Sequence, residues 1–211
     1  MKNRTNIRFL VQLSLLAAVE LVMAYTPLGY FRTPGLEISF LMVPVTLGAI
    51  LLGPGAGAVL GAVFGLTSFG TCFGSSPFGA VLLGINPFFT FLVCVVARIL
   101  AGWLAGLLFR ALFRSKESAG EKTHAKQPVF PFAAAALAGP VLNTLFFMTG
   151  LVVFFYNTDY IQQIAAGMGA ANPFMFVVLF VGLQGLIEAA AGFFIGTVLG
   201  KAVYAYLHRH P

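Results

Sequence analysis

Charge is scarce in this sequence. Asp, Glu, Lys and Arg make up 9% of its 211 residues, where a soluble domain carries roughly 25%. That scarcity excludes an ordinary soluble fold. A hydrophobic share of 59% and a mean hydropathy of +0.95 mark an integral membrane protein instead. Cysteine is limited to Cys72 and Cys94, both in apolar surroundings and at no metal-ligand spacing. They read as small packing residues, and no disulfide is expected between them. Histidine is confined to His124, His208 and His210, all in polar tails, so no Ser/His/Asp set can form. Neither H-E-x-x-H nor Cys-x-x-Cys occurs. The run GTVLGKA at 196–202 has some likeness to a phosphate loop, but its spacing is short and Ala stands where Ser or Thr is needed. The chain is therefore read as a non-enzyme, with no catalytic residue, metal site or cofactor of its own.

Long uncharged runs take the place of charge. The stretch 41–69 (LMVPVTLGAILLGPGAGAVLGAVFGLTSF) is broken once, at Gly53-Pro54-Gly55, and predicts a helical hairpin with a very short turn. In its second arm Gly57, Gly61 and Gly65 recur every fourth residue, one above another on a helix face. Such a bare stripe lets helices approach backbone to backbone in lipid, a packing role that needs no ligand. Gly192, Gly196 and Gly200 repeat the device near the C-terminus.

The length suits a single all-α domain, residues 1–211, of six membrane helices at about 20 apolar residues each. The expected spans are 7–25, 38–53, 55–70, 78–113, 129–156 and 173–207, with a polar loop at 114–127. The first span resembles a signal peptide in its flanks, but Glu20 inside it favours a retained helix. Asn86-Pro87 is expected to break or kink the fourth span. Nearly all Lys and Arg fall at the two termini and in the 114–127 loop, which makes that side, and both termini, cytoplasmic. The net charge of +6 is thus a topology signal and not a mark of nucleic-acid binding.

Polar residues inside spans are costly and raise the question of function first. Counted at about 1.5 Å per residue from the nearest cytoplasmic boundary, Glu20, Arg98, Asn143 and Glu188 share a depth of roughly 18–21 Å. Gln184 lies one turn further out and Asn86 further again. One reading is a buried ion pair of Arg98 with Glu188 or Glu20 that fixes helix register. The other is a polar pocket opening outward beneath the loop 25–37. Asn86, Gln184 and Asn157 would then add hydrogen bonds, with Tyr25, Tyr30 and Phe31 as a lid and Arg32 the only cation on that outer face. Asn143 alone reads equally as a helix–helix contact.

The order of several loose motifs resembles a known family. Residues 44–54 (PVTLGAILLGP), then Gly57, Gly61 and Phe64-Gly65, Arg98 with Gly102, and Gly139-Pro140 with Asn143-Thr144 are similar to the substrate-binding S components of energy-coupling factor (ECF) vitamin transporters. The likeness covers nearly all of the chain. It implies a six-helix bundle in a prokaryotic plasma membrane that captures a vitamin at its outer face, the first loop closing over it. It further implies toppling on a transmembrane coupling protein driven by two ATPase subunits, which use the ATP. The family docks through an Ala-x-x-x-Ala face on its first helix; Ser14 and Ala18 stand at those positions, with Ala17 beside them. Within the family the pantothenate and riboflavin carriers are the most similar. The run GTCFGSSPFGAVLLG before Ile85-Asn86-Pro87 looks more like the pantothenate type, and one intramembrane Arg suits a ligand with one carboxylate. The 23 Phe keep riboflavin open as an alternative, while the lone Trp103, in the cytoplasmic half, speaks against thiamin. Two further classes stay in view: an ion-coupled carrier working alone, from Glu20 and Glu188, and a purely structural membrane protein, from the glycine stripes.

Overall fold

The computed structural model describes residues 2–27, 29–33, 36–118 and 129–209, and the side chains of 7–27, 29–30, 39–113, 129–182 and 185–206. Helix α1 covers Lys2–Ala24. The following loop contains a short antiparallel hairpin, β1 (Tyr30–Thr33) on β2 (Leu36–Ser39), with Arg32 opposite Glu37. Sequence patterning had no signal for strands here, because four-residue strands show almost no periodicity.

The uncharged hairpin forms as expected, from α2 (Met42–Leu52) and α3 (Pro54–Thr71). Gly53 makes the turn at φ 97°, ψ 178°, a conformation that favours glycine, and Pro54 opens α3 where its missing N–H is no loss. The expected fourth span is divided. Helix α4 (Pro77–Ile85) ends at Asn86, and a separate rod runs through α5 (Pro87–Phe91), a π-helical turn at Leu92–Val96, and α6 (Ala97–Ser118). Helix α7 is Val129–Phe155, and a short α8 (Asp159–Gly167) leads to α9 (Pro173–Arg209), which is kinked at Gly182.

Among the described residues four segments are long and apolar enough to cross a bilayer: Ile7–Ala24, Pro87–Phe113, Val129–Phe155 and Gly185–Tyr206. Helix α2 has only 11 residues, about 17 Å of rise.

Glycine sets the closest contacts. Any Cβ on Gly57 would strike the carbonyl of Gly102, and one on Gly61 the carbonyl of Arg98. A Cβ on Gly65 would lie 2.6 Å from Val95 Cα. The stripe therefore presses α3 against α6 with no side-chain layer between, which fulfils the packing expectation. On α7, Gly139 similarly leaves room for Thr46 of α2. Apolar nests complete the packing, and the larger ones among the described residues are these. Leu41, Val45, Leu60 and Phe64 join α1, α2, α3 and α6. Phe109, Phe132 and Tyr204 cluster towards the termini, with the first pair 5.0 Å apart between ring centres. Met148, Phe155, Ile161 and Phe176 fill the opposite end, where α7, α8 and α9 meet. Large apolar side chains of α1 face outward, Leu15 among them at 65% exposure, as lipid contact requires.

Candidate functional site

A cavity of about 680 Å³ opens at the end of the bundle where α1 and α3 finish and α9 begins. Its floor is built from three helices. Arg98 comes from the start of α6, Asn143 and Thr144 from mid-α7, and Glu188 from α9 beyond the kink. Phe64 and Ser68 of α3 form one wall, and Phe147 and Met148 of α7 another. Towards the mouth stand Tyr30 and Ser39 from the hairpin, Ser75 and Ser76 from the α3–α4 link, Phe78 of α4, Tyr160 of α8 and Phe180 of α9.

Arg98 is 8% exposed. The expected pairing with a carboxylate does not form: among the described residues Arg98 makes no ion pair with Glu20 or Glu188. Its Nη1 donates to the carbonyl of Cys94 at 2.7 Å and, more weakly, to that of Val93 at 3.4 Å. Both carbonyls belong to the π-helical turn, a feature often found at functional positions. The guanidinium carbon lies 4.6 Å from the centre of the Phe64 ring and 5.4 Å from that of Phe147. Each such cation–π contact contributes about 0.5–2 kcal/mol. Nε is buried with no hydrogen-bond partner, and so is Asn143 Oδ1. A donor and an acceptor thus remain unsatisfied among residues that line the same cavity. Leaving a buried polar group unpaired costs about 1–3 kcal/mol, and a bound molecule with both hydrogen-bonding senses would remove that cost.

Glu188 meets the hairpin. Its Oε1 accepts from the Ser39 N–H at 2.7 Å, joining the end of β2 to α9. Tyr30 lines the cavity.

Other expected site residues lie elsewhere. Asn86 is half-buried between α4 and α5, where its Oδ1 accepts from the Phe89 N–H at 3.1 Å; it caps α5 and is not in the cavity wall. Tyr25 is 79% exposed and Asn157 is exposed in the turn after α7, neither lining the cavity. The side chains of Gln184, Phe31 and Arg32 lie outside the described residues. Glu20 is fully buried but outside the cavity, with neither carboxyl oxygen hydrogen-bonded. On α1, Ser14 and Ala18 are exposed while Ala17 is half-buried against the α2–α3 nest.

Sequence reasoning missed Ser68, Thr90 and Thr144, and it assigned Cys72 and Cys94 to packing although both also line the cavity. Ser68, four residues before Cys72 in a helical stretch, was the available clue, since a polar position amid apolar ones needs a partner.

No curated protein matches the chain at a significant level. The family profile of the ECF transporter substrate-specific component matches residues 8–200, nearly the whole chain. With its apolar helices and an unsatisfied polar cavity, the chain belongs to that family: membrane-embedded, non-enzymatic subunits that bind a small molecule and work with the module of an ECF transporter.

Proposed function

We propose that this S component captures a vitamin bearing one carboxylate, pantothenate, in the cavity floored by Arg98, Asn143 and Glu188. The observation that carries the reading is that two residues lining one cavity, Arg98 and Asn143, each hold a buried polar atom without a partner, Nε and Oδ1. A carboxylate would take the guanidinium's free donor, and an amide or hydroxyl donor would serve Asn143. Pantothenate has both. In this reading α2 and α3 complete six spans, both termini lie in the cytoplasm, and the cavity faces outward. The protein sits in the plasma membrane, and the β1–β2 hairpin closes over the ligand. Ser14 and Ala18 then offer the bare α1 face to a coupling subunit, which two ATPases drive to topple the loaded protein.

Riboflavin is the second reading, favoured by the rings of Phe64, Phe78, Phe147, Tyr160 and Phe180 around the cavity. Mass spectrometry of small molecules released from the purified protein, with its visible absorbance, separates the two. Near-stoichiometric pantothenate is expected. A yellow preparation assigns riboflavin instead, and a protein that binds no vitamin without nucleotide overturns the reading.

A further inference from the structure

We propose that Ser68 and Thr71 of α3 read the hydroxyl-bearing end of the ligand, so that pantothenate binds in one orientation, carboxylate at Arg98 and hydroxyls along α3. The inference rests on the substrate reading given above and adds two specificity-determining residues to it. Phe64, Ser68 and Thr71 stand at i, i+4 and i+7 of one helix, on a single face, and all three line the cavity. Phe64 marks the floor, because the Arg98 guanidinium carbon lies 4.6 Å from its ring centre. The two hydroxyl residues follow it towards the mouth, and both are half-buried.

The floor and this wall call for opposite partners. A guanidinium can only donate, and Arg98 Nε is buried with no hydrogen-bond partner, so the floor selects an acceptor. Thr71 has the reverse character. Its one hydroxyl hydrogen goes to the Ser68 carbonyl at 2.7 Å, which leaves its oxygen able only to accept. A carboxylate or carbonyl gains nothing there, whereas a ligand hydroxyl can donate. The Ser68 hydroxyl can serve in either sense. A ligand with an anion at one end and hydroxyls at the other is thereby given a direction.

The spacing agrees with that direction. The helix rises about 6 Å from Phe64 to Ser68 and about 10 Å from Phe64 to Thr71. An extended chain advances about 1.2 Å per bond, which puts the mid-chain hydroxyl carbon of pantothenate, five bonds from its carboxylate carbon, at about 6 Å and its terminal hydroxyl oxygen, eight bonds away, at about 10 Å. Ser68 is therefore matched to the mid-chain hydroxyl and Thr71 to the terminal one.

The experiment titrates the full-length protein in detergent with pantothenate and with two analogues, one lacking the terminal hydroxyl and one lacking the mid-chain hydroxyl. Wild type should bind each analogue about tenfold more weakly than pantothenate. Thr71→Val should lose about tenfold in pantothenate affinity and nothing further when the terminal hydroxyl is absent. Ser68→Ala should behave likewise towards the analogue lacking the mid-chain hydroxyl. Thr67→Val is the control: Thr67 makes the same kind of bond, to the Phe64 carbonyl at 2.8 Å, but does not line the cavity, and its replacement should leave the preference for pantothenate over both analogues intact. A loss in Thr71→Val or Ser68→Ala that persists in full with the matching analogue is a packing effect and overturns the proposal. So does a wild-type protein that binds pantothenate and both analogues equally, a result that needs no variant to fold. A wild-type protein that binds no pantothenate overturns the substrate reading itself, and this orientation falls with it.

Discussion

Arg98 draws its support from two main-chain carbonyls and two ring faces, none of which carries a full negative charge. A guanidinium so placed is tolerated at a cost, and the ligand's carboxylate would be its counter-ion. Arg98→Leu should therefore unfold no earlier than wild type in a thermal melt while losing pantothenate affinity by at least tenfold, about 1.4 kcal/mol. Asn143→Leu should weaken binding by about 1–3 kcal/mol through the lost hydrogen bond, read by titration calorimetry. Glu20 gives the opposite case, a buried carboxyl with no partner and no cavity. Glu20→Leu should raise thermal stability, since an apolar group of similar size removes a desolvation penalty; loss of uptake in that variant would revive an ion-coupled role. At this scale the sequence was partly legible. Depth counting brought Arg98, Asn143 and Glu188 into one cavity because a regular helical rise converts position into height. It placed Asn86 too generously, because a side-chain oxygen before proline is equally suited to capping its own helix. Nor could it foresee that Arg98 would turn to Cys94 and Val93, since the π-helical turn leaves no trace in residue type.

Helices in lipid are held by fit, and here the fit is made by missing side chains. Gly61 meets the backbone of Arg98 itself, so the stripe on α3 fixes the height and distance of the site's cation. Gly61→Ala should cost about 1–3 kcal/mol by overpacking and should weaken ligand binding in the same variant, although residue 61 is not in the cavity wall. Thermal melts with and without ligand test both effects. The stripe was plain in the sequence because a four-residue repeat coincides with the helical turn. The kink in α9 was not. Gly182 adopts φ 34°, ψ −129° inside an unbroken apolar run, and nothing in its neighbours distinguishes it from the glycines that merely pack. The β1–β2 hairpin was invisible for the related reason that its strands are too short to show alternation.

Across the whole molecule, the helical membrane architecture was readable from composition and the long uncharged runs, because the bilayer imposes both. The division of the 78–113 span was signalled by Asn86-Pro87, whereas the length of α4 was not, since its apolar residues continue the run on either side. Docking belongs to this scale too. Ala18→Leu should leave pantothenate affinity unchanged, as the side chain is exposed on α1 away from the cavity, yet abolish uptake by the reconstituted complex; lost affinity would show that this face serves the fold instead. The backbone contact of α3 with α6 has a mechanical consequence. With no compressible layer between them, the two helices act as one stiff plate that carries Arg98 on its surface. Compliance must then reside at the opposite wall, in the hairpin and in the segment of α9 before Gly182. Closure over the ligand proposed above would then resemble a book with one fixed cover, and the proposed toppling would move that cover without bending it.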